Sequence, residues 1–280
     1  MLASCSAPAM EQRRIEVDGV PLHYQVAGAG EPVILVHGLS GSTRWWARNV
    51  PALARHFRVY VVDLIGFGQS RGRHPFVLEQ AGDSLARWME LADIGRASIV
   101  GHSMGGFIAL DLAAEFPDRI ERLVLVDAAV LPRQGGYARH ALGLVRALRH
   151  MPLGFLPILI TDTWRAGPVT ILKAAGDLLT ADVRPELARV RAPTLLVWGE
   201  HDALVPVPIG EELRGALPQA RLVVLKGAGH NPMWDRAEAF NRVVLEFLGA
   251  GAQPICGAGS SWSLSARKGS TTRSTSRGAL

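Results

Sequence analysis

Six short apolar runs, rich in β-branched residues, recur along the chain: Val33–Val36, Val59–Val62, Ser98–Val100, Leu123–Val126, Leu195–Trp198 and Leu222–Leu225. None alternates polar with apolar residues. A strand that reads as continuous hydrophobe is buried on both faces, the condition of a parallel sheet covered by helices above and below. Helical spacing fills the gaps. Thr43–Arg55 carries Trp46, Val50, Leu53 and Ala54. Phe76–Leu91 carries Val77, Ala81, Leu85 and Trp88. Gly105–Phe116 and Ala237–Leu248 follow the same rule. Strand–helix alternation requires right-handed crossovers and a doubly covered sheet. Ile15–Val17 and Leu22–Val26, joined by Asp18-Gly19, predict a hairpin ahead of it. From about 131 to 190 the alternation stops. Helical segments at Tyr137–Arg149 and Thr170–Leu179, split by prolines, predict a helical insertion.

Charge sharpens the boundaries. Arg267, Lys268, Arg273 and Arg277 fall among the last 30 residues, where no acid occurs; the other 26 basic residues face 25 acids, a net charge of +1. A near-neutral body does not support a nucleic-acid footprint. The Ser/Thr/Gly-rich basic segment over 250–280 cannot bury enough apolar surface to offset its ordering entropy and is expected to be disordered. So are residues 1–11. The core domain is then expected over 12–130 and 191–249, interrupted by the insertion at 131–190. Both cysteines, Cys5 and Cys256, lie in the terminal segments, so thiol catalysis is not expected. No run approaches the ~18 apolar residues of a membrane span. The first residues lack the basic and apolar regions of a signal peptide. A cytoplasmic protein is the expectation, with its oligomeric state open.

Gly101-His102-Ser103-Met104-Gly105 is a G-x-S-x-G. It follows a strand signal and opens a helix signal. Such a turn strains the serine backbone and lifts its hydroxyl clear of the sheet, beside the positive end of a helix. A serine hydroxyl needs a base. Among nine histidines, His230 in Gly227–Pro232 sits just past the last strand, at the same carboxyl edge as Ser103. The base needs an acceptor that fixes its tautomer. Asp202, in the loop after Trp198, supplies it; Glu200 in the same loop and Asp127 after Val126 compete. The chain order Ser103, Asp202, His230 is nucleophile, acid, base.

A developing oxyanion needs two N–H donors. Met104, following the nucleophile, offers one. Leu39, in the loop after Val33–Val36, offers the other, with Ser40 second. His37 is expected to hydrogen-bond its own loop and His201 to be structural. Cofactor and metal sites are not expected. No G-x-x-x-x-G-K-[ST] or H-E-x-x-H occurs, and Gly66-Phe67-Gly68 approaches a dinucleotide fingerprint but meets Arg71 at its sixth position. His140 and His150 lack carboxylates at ligand spacing.

These motifs together resemble the α/β-hydrolase-fold superfamily over about residues 12–249. The resemblance rests on His37-Gly38, the Asp63–Ser70 turn, Gly101–Gly106, Gly199–Asp202 with Val205-Pro206, and Gly229-His230. It implies a mostly parallel eight-stranded sheet with a helical cap, in which the apolar stretch Pro152–Ile160 lines a substrate pocket or packs as ordinary helix. It implies a serine hydrolase of carboxylic esters or similar acyl compounds, acting on a small hydrophobic substrate without a cofactor. The alternatives are a carbon–carbon hydrolase of ring-cleavage products, a cofactor-free haloperoxidase or perhydrolase, or a non-catalytic small-molecule receptor. Ring-cleavage hydrolases often carry tryptophan after the histidine, where this chain has Asn231.

Overall fold

A computed structural model describes residues 9–72, 76–131, 143, 146, 147, 149 and 151–250. Most of the expected Tyr137–Arg149 helix, His140, His150 and the segment 251–280 lie outside the described residues.

The expected eight-stranded sheet is present. Its strands are β1 (Glu11–Val17), β2 (Val20–Ala27), β3 (Pro32–Val36), β4 (Arg58–Val62), β5 (Ala97–His102), β6 (Ile120–Val126), β7 (Thr194–Gly199) and β8 (Ala220–Leu225). Their order is β1-β2-β4-β3-β5-β6-β7-β8. β2 runs antiparallel to β1 and β4; the other pairs are parallel. The β1–β2 hairpin turns at Asp18 and Gly19, both at positive φ (50° and 80°), the backbone of a two-residue hairpin turn. Its pairing runs out to Glu11 opposite Val26, so the first strand starts one residue before the expected edge of the core.

Burial on both faces accounts for the continuous apolar runs except Leu222–Leu225, which lies on the edge strand β8, where Val224 is exposed and Leu222 and Val223 are only partly buried. Ile34, Val36, Tyr60, Val62, Leu196 and Trp198 join the apolar layer on one side of the sheet. Their neighbours Val33, Leu35, Val59, Val61, Leu195 and Val197 join the layer on the other. The first layer is closed by α2 (Ala81–Leu91) and α3 (Met104–Glu115). The second is closed by α1 (Val50–Leu53) and α9 (Ala237–Leu248), which follows the short α8 (Pro232–Asp235). Between them come α4 (Leu156–Ala166), α5 (Pro168–Thr180), α6 (Arg184–Leu187) and α7 (Val207–Ala216). Among the described residues no helix is long and apolar enough to cross a membrane.

Helix boundaries depart from the sequence reading where proline intervenes. Thr43–Arg55 is not one helix: a 3₁₀ turn over Thr43–Trp46 precedes α1, whose second residue is Pro51. Proline has no N–H to continue a ladder and is tolerated only in a first turn, so the pattern breaks there. Likewise Pro157 sits in the first turn of α4, so the helix begins at Leu156, inside the apolar stretch Pro152–Ile160.

One helix contact predicts a pH response. Asp111, half-buried on α3 against α2, is pushed up to about 6 by burial and by the nearby Glu115, Asp83 and Glu186 charges. The stability it contributes is fully present below its ordinary value of 3.8 and is lost as pH rises through about 6. Asp111→Asn is therefore expected to reduce the fall in stability between about pH 4 and about pH 8, read by urea denaturation at both. An unchanged fall would assign the titration to other groups.

Candidate active site

β5 ends at His102 and α3 begins at Met104, leaving Ser103 alone to turn the chain. Its φ of 51° and ψ of −115° lie outside the regions open to most L-residues. The strain persists because both sides are pinned. The Ser103 N–H donates to the Val126 carbonyl (2.9 Å), and its own carbonyl accepts from the N–H groups of Gly106 (2.9 Å) and Ala129 (3.2 Å). A Cβ on Gly101 would strike the Gly105 carbonyl, and one on Gly105 would lie 2.5 Å from the carbonyl oxygens of Val36 and His37. The glycines flanking Ser103 let strand and helix backbones touch, and the hydroxyl emerges at the sheet's carboxyl edge.

His230 arrives from the loop between β8 and α8. Its Nε2 lies 3.1 Å from Ser103 Oγ and its Nδ1 2.8 Å from Asp202 Oδ2. Asp202 is buried, and its Oδ1 accepts from the N–H groups of Leu204 (2.7 Å) and Val205 (2.9 Å). With Nδ1–H donating to the carboxylate, Nε2 is free to accept the Ser103 proton. The other candidate acids accept from backbone N–H groups and make no hydrogen bond to His230. Glu200 accepts from the Gly227 N–H (2.9 Å), and Asp127 Oδ1 from the Gly199 N–H (2.9 Å). The half-exposed His201 ring points at Glu200, 3.6 Å away, rather than at Ser103.

The loop after β3 passes against this line. A Cβ on Gly38 would come within 3.1 Å of Ser103 Cβ. Leu39 and Ser40 follow, Ser40 at a φ of 60°, and the Gly41 N–H closes back on the Gly38 carbonyl at 3.0 Å. Met104 opens α3, so its N–H has no intrahelical acceptor. His37 is fixed as a neutral ring: Nδ1–H donates to the Gly38 carbonyl (2.8 Å) and Nε2 accepts from the Leu64 N–H (3.1 Å). Burial pushes its pKa down, which agrees. Asp63 organises the neighbouring turn, accepting from the Thr43 N–H (2.6 Å) and the Gln69 N–H (2.9 Å).

Two residues matter here that spacing did not single out. His102, wholly buried, donates Nε2–H to the His230 carbonyl at 2.7 Å and so anchors the backbone that carries the His230 ring. Burial, and then the nearby His230, holds it well below the usual histidine range, so it stays neutral. Its position inside the G-x-S-x-G motif was the available signal. Donor atoms of His102, Asp127 and His230 lie within 4.8 Å of one another, the one metal-like spacing among the described residues. Each of the three side chains is already hydrogen-bonded inside the protein.

Asp162 on α4 is the second. It accepts from the Ser42 hydroxyl (2.7 Å), Arg44 (2.5 Å) and the Trp45 indole N–H (3.2 Å), clamping the insertion to the loop beside Ser103. Phe155 reinforces the clamp, its ring centroid 5.1 Å from those of Trp45 and Trp234. Pro152–Ile160 therefore divides: Phe155 is buried, while Leu153 and Ile160 are exposed. Asp162→Ala would strand two buried donors, the Ser42 hydroxyl and the Trp45 indole N–H, and break the Arg44 ion pair, and is expected to cost about 3 kcal/mol in denaturant unfolding. A change under about 1 kcal/mol would mean the clamp is not structural. A separate cavity of about 310 Å³, lined by residues such as Leu22, Phe76 and Leu85, contains none of the Ser103 cluster.

The alpha/beta hydrolase fold family model matches residues 31–142, and a TAP-like protein model matches residues 179–259. The chain is 33% identical over 265 residues to the 2-hydroxy-6-oxo-6-phenylhexa-2,4-dienoate hydrolase of Burkholderia cepacia, covering 82% of this chain and 92% of that one. It is 30% identical over 270 residues to a 2-hydroxy-6-oxononadienedioate/2-hydroxy-6-oxononatrienedioate hydrolase of Paraburkholderia xenovorans, with coverages of 83% and 92%. The solved enol-lactonase from Burkholderia xenovorans LB400 superposes with a TM-score of 0.72 at 29% identity, covering 84% of this chain and 99% of that one.

Proposed function

The chain belongs to the α/β-hydrolase fold family, and on that premise we propose that it is a serine hydrolase of carboxylic esters or similar acyl compounds. The observation that carries this reading is the continuous hydrogen-bonded line from Asp202 through His230 to Ser103. Ser103 Oγ attacks the carbonyl carbon as its proton passes to His230 Nε2. The N–H groups of Leu39 and Met104 hold the oxyanion. His230 then protonates the leaving alcohol, which departs and leaves an acyl-enzyme. Water, losing a proton to the same nitrogen, releases the acid and restores Ser103. Asp202 stays ionised throughout, and no cofactor enters.

The inserted helices act as the cap that selects the substrate. A body without cysteine suits the cytoplasm. A second reading, hydrolysis of a carbon–carbon bond in a ring-cleavage product, is favoured by the names of the two relatives. Asn231, where such enzymes often have tryptophan, weighs against it.

A fluorophosphonate probe followed by peptide mass spectrometry tests the nucleophile. A panel of p-nitrophenyl esters beside 2-hydroxy-6-oxo-6-phenylhexa-2,4-dienoate ranks the two bonds. Labelling at Ser103 with kcat/KM highest on an ester is expected. Higher turnover of the dienoate would move the assignment to carbon–carbon cleavage, and no labelling of folded protein would end the serine reading.

A further inference from the structure

Five of the eight large hydrophobic side chains exposed among the described residues fall between 153 and 172. They are Leu153 (85% exposed), Ile160 (60%), Trp164 (86%), Val169 (79%) and Leu172 (73%); the other three stand at no more than 40%. Single exposed hydrophobes are ordinary, but a cluster of them marks a surface that meets something else.

Helix geometry turns them outward. Ile160 and Trp164 lie one turn apart on α4, Val169 and Leu172 one turn apart on α5, and the two helices, joined by Gly167, pack against each other. The buried positions Asp162 and Ala166 on α4 and Ala174 on α5 each follow an exposed hydrophobe by two places, about 200° round the helix. A helix that only covers a core carries polar residues on that far side. Nor does the outer side hold the insertion in place. Asp162 and Phe155 do that, from the inner side, against the loop beside Ser103.

The rim of this face is basic. Arg165 and Lys173, both exposed, follow Trp164 and Leu172 by one place, and Arg71 donates to the Arg165 carbonyl at 3.1 Å. None of the three pairs with a carboxylate among the described residues, which include all 25 acids of the chain. Over 131–190 eight basic side chains stand against four acidic ones, a net +4, whereas 12–130 and 191–249 together hold 18 against 20. Of those four acids Asp162 is buried, and Asp177, Asp182 and Glu186 are half-buried.

We propose that the outer face of α4 and α5 is a docking surface for an anionic lipid bilayer. Ile160, Trp164, Val169 and Leu172 enter the boundary between headgroups and acyl chains, and Arg165, Lys173 and Arg71 meet lipid phosphates. Indole rings favour that boundary, and a basic rim around an apolar face is the pattern of an interfacial helix. Other occupants fit less well. A two-fold contact pairs a patch with its own copy, so a second chain would set one +4 insertion against another. The chain's own residues 251–280 add four basic side chains and no acid, and half of them are Ser, Thr or Gly, so they bring no opposite charge and little apolar surface. The docking surface stands independently of the chemistry at Ser103.

Sedimentation of the full-length protein with vesicles of equal parts phosphatidylcholine and phosphatidylglycerol tests this. Binding is expected, weaker by about 10-fold or more on phosphatidylcholine alone and at about 1 M salt. Trp164→Ser combined with Leu172→Ser is expected to weaken it about 10-fold or more, and Arg165→Ala combined with Lys173→Ala about 10-fold on the mixed vesicles only. All four side chains are exposed, so both variants are expected to unfold in urea as the unmodified protein does, and lost binding is not lost fold.

Trp164 also reports directly. Trp45, Trp46, Trp88, Trp198 and Trp234 are buried, so a blue shift of tryptophan emission on the mixed vesicles is expected in the unmodified protein and absent in Trp164→Phe. A shift that survives Trp164→Phe would put Trp262 at the membrane instead and overturn the proposal. So would absence of sedimentation with the mixed vesicles, or sedimentation unchanged by Trp164→Ser with Leu172→Ser. A dimer in sedimentation velocity that this double variant dissociates would give the face to a second copy and overturn it too. Ser103→Ala is expected to bind vesicles as the unmodified protein does, so a failed serine reading leaves the docking result standing.

Discussion

Ser103→Ala is expected to lower kcat/KM on a p-nitrophenyl ester by roughly 10⁴- to 10⁶-fold, while the protein keeps its fold and its unfolding free energy to within about 1 kcal/mol. The size of the loss follows from how the site is built. His230 Nε2 has one side-chain partner among the described residues, the Ser103 hydroxyl at 3.1 Å, and Asp202 does its work through that imidazole. On the proposed scheme, removing the nucleophile leaves base and acid with nothing to activate, and only binding and the proposed oxyanion donors, the N–H groups of Leu39 and Met104, remain. Stability is spared because the backbone bonds that pin the turn, from the Ser103 N–H to Val126 and to the Ser103 carbonyl from Gly106 and Ala129, do not involve the hydroxyl. Steady-state kinetics and urea denaturation on the same preparation check both halves. Turnover within about 10-fold of the unmodified protein would remove Ser103 from the mechanism.

Gly105→Ala carries the largest expected effect on the fold. Its new Cβ would lie 2.5 Å from the carbonyl oxygens of Val36 and His37, distances real Cβ atoms do not tolerate. Those carbonyls cannot yield cheaply. Val36 is paired to Val62 on one side and Gly101 on the other, in the middle of the sheet, and His37 is fixed by Leu64 and Gly38. The helix would have to lift away from the strand, taking Ser103 with it. A loss of about 3 kcal/mol and near-complete loss of Ser103 labelling are expected. Gly176→Ala is the matched control. It lies in α5, nothing stands within 4 Å of its added Cβ, and a gain of up to about 1 kcal/mol is expected from helix propensity. Opposite signs for the two glycines would tie the first effect to the close approach. Equal effects would reduce it to a generic cost of losing glycine.

Much of the architecture is legible without coordinates because strands buried on both faces must be apolar at every position. Val33–Val36, Val59–Val62 and Leu195–Trp198 send alternate side chains into opposite layers, and no polar position interrupts them. Helix boundaries were less legible. Pro51 divides what apolar spacing alone reads as one helix over Thr43–Arg55, and Pro157 sits in the first turn of a helix that begins inside the apolar stretch Pro152–Ile160. Phe155 was legible as hydrophobic, but nothing local says that it meets Trp45 and Trp234, residues some hundred positions before it and eighty after it.

The sequence by itself determined the sheet class, the glycine-flanked turn that presents Ser103, and the arrival of His230 and three carboxyls at one sheet edge. These follow from local backbone sterics and from apolar runs, which are properties of neighbours along the chain. Only the tertiary structure decided which carboxyl faces the imidazole. Asp127, Glu200 and Asp202 all leave the ends of β6 and β7, yet Glu200 caps the Gly227 N–H, Asp127 takes the Gly199 N–H, and Asp202 alone meets His230 Nδ1. The roles of His102 and Asp162 were decided the same way, by the His230 carbonyl and by the loop from Ser42 to Trp45. The physical reason is common to all five residues: a polar side chain's role is set by the donors and acceptors that face it, and here those come from segments far apart in sequence that only folding brings into hydrogen-bonding distance.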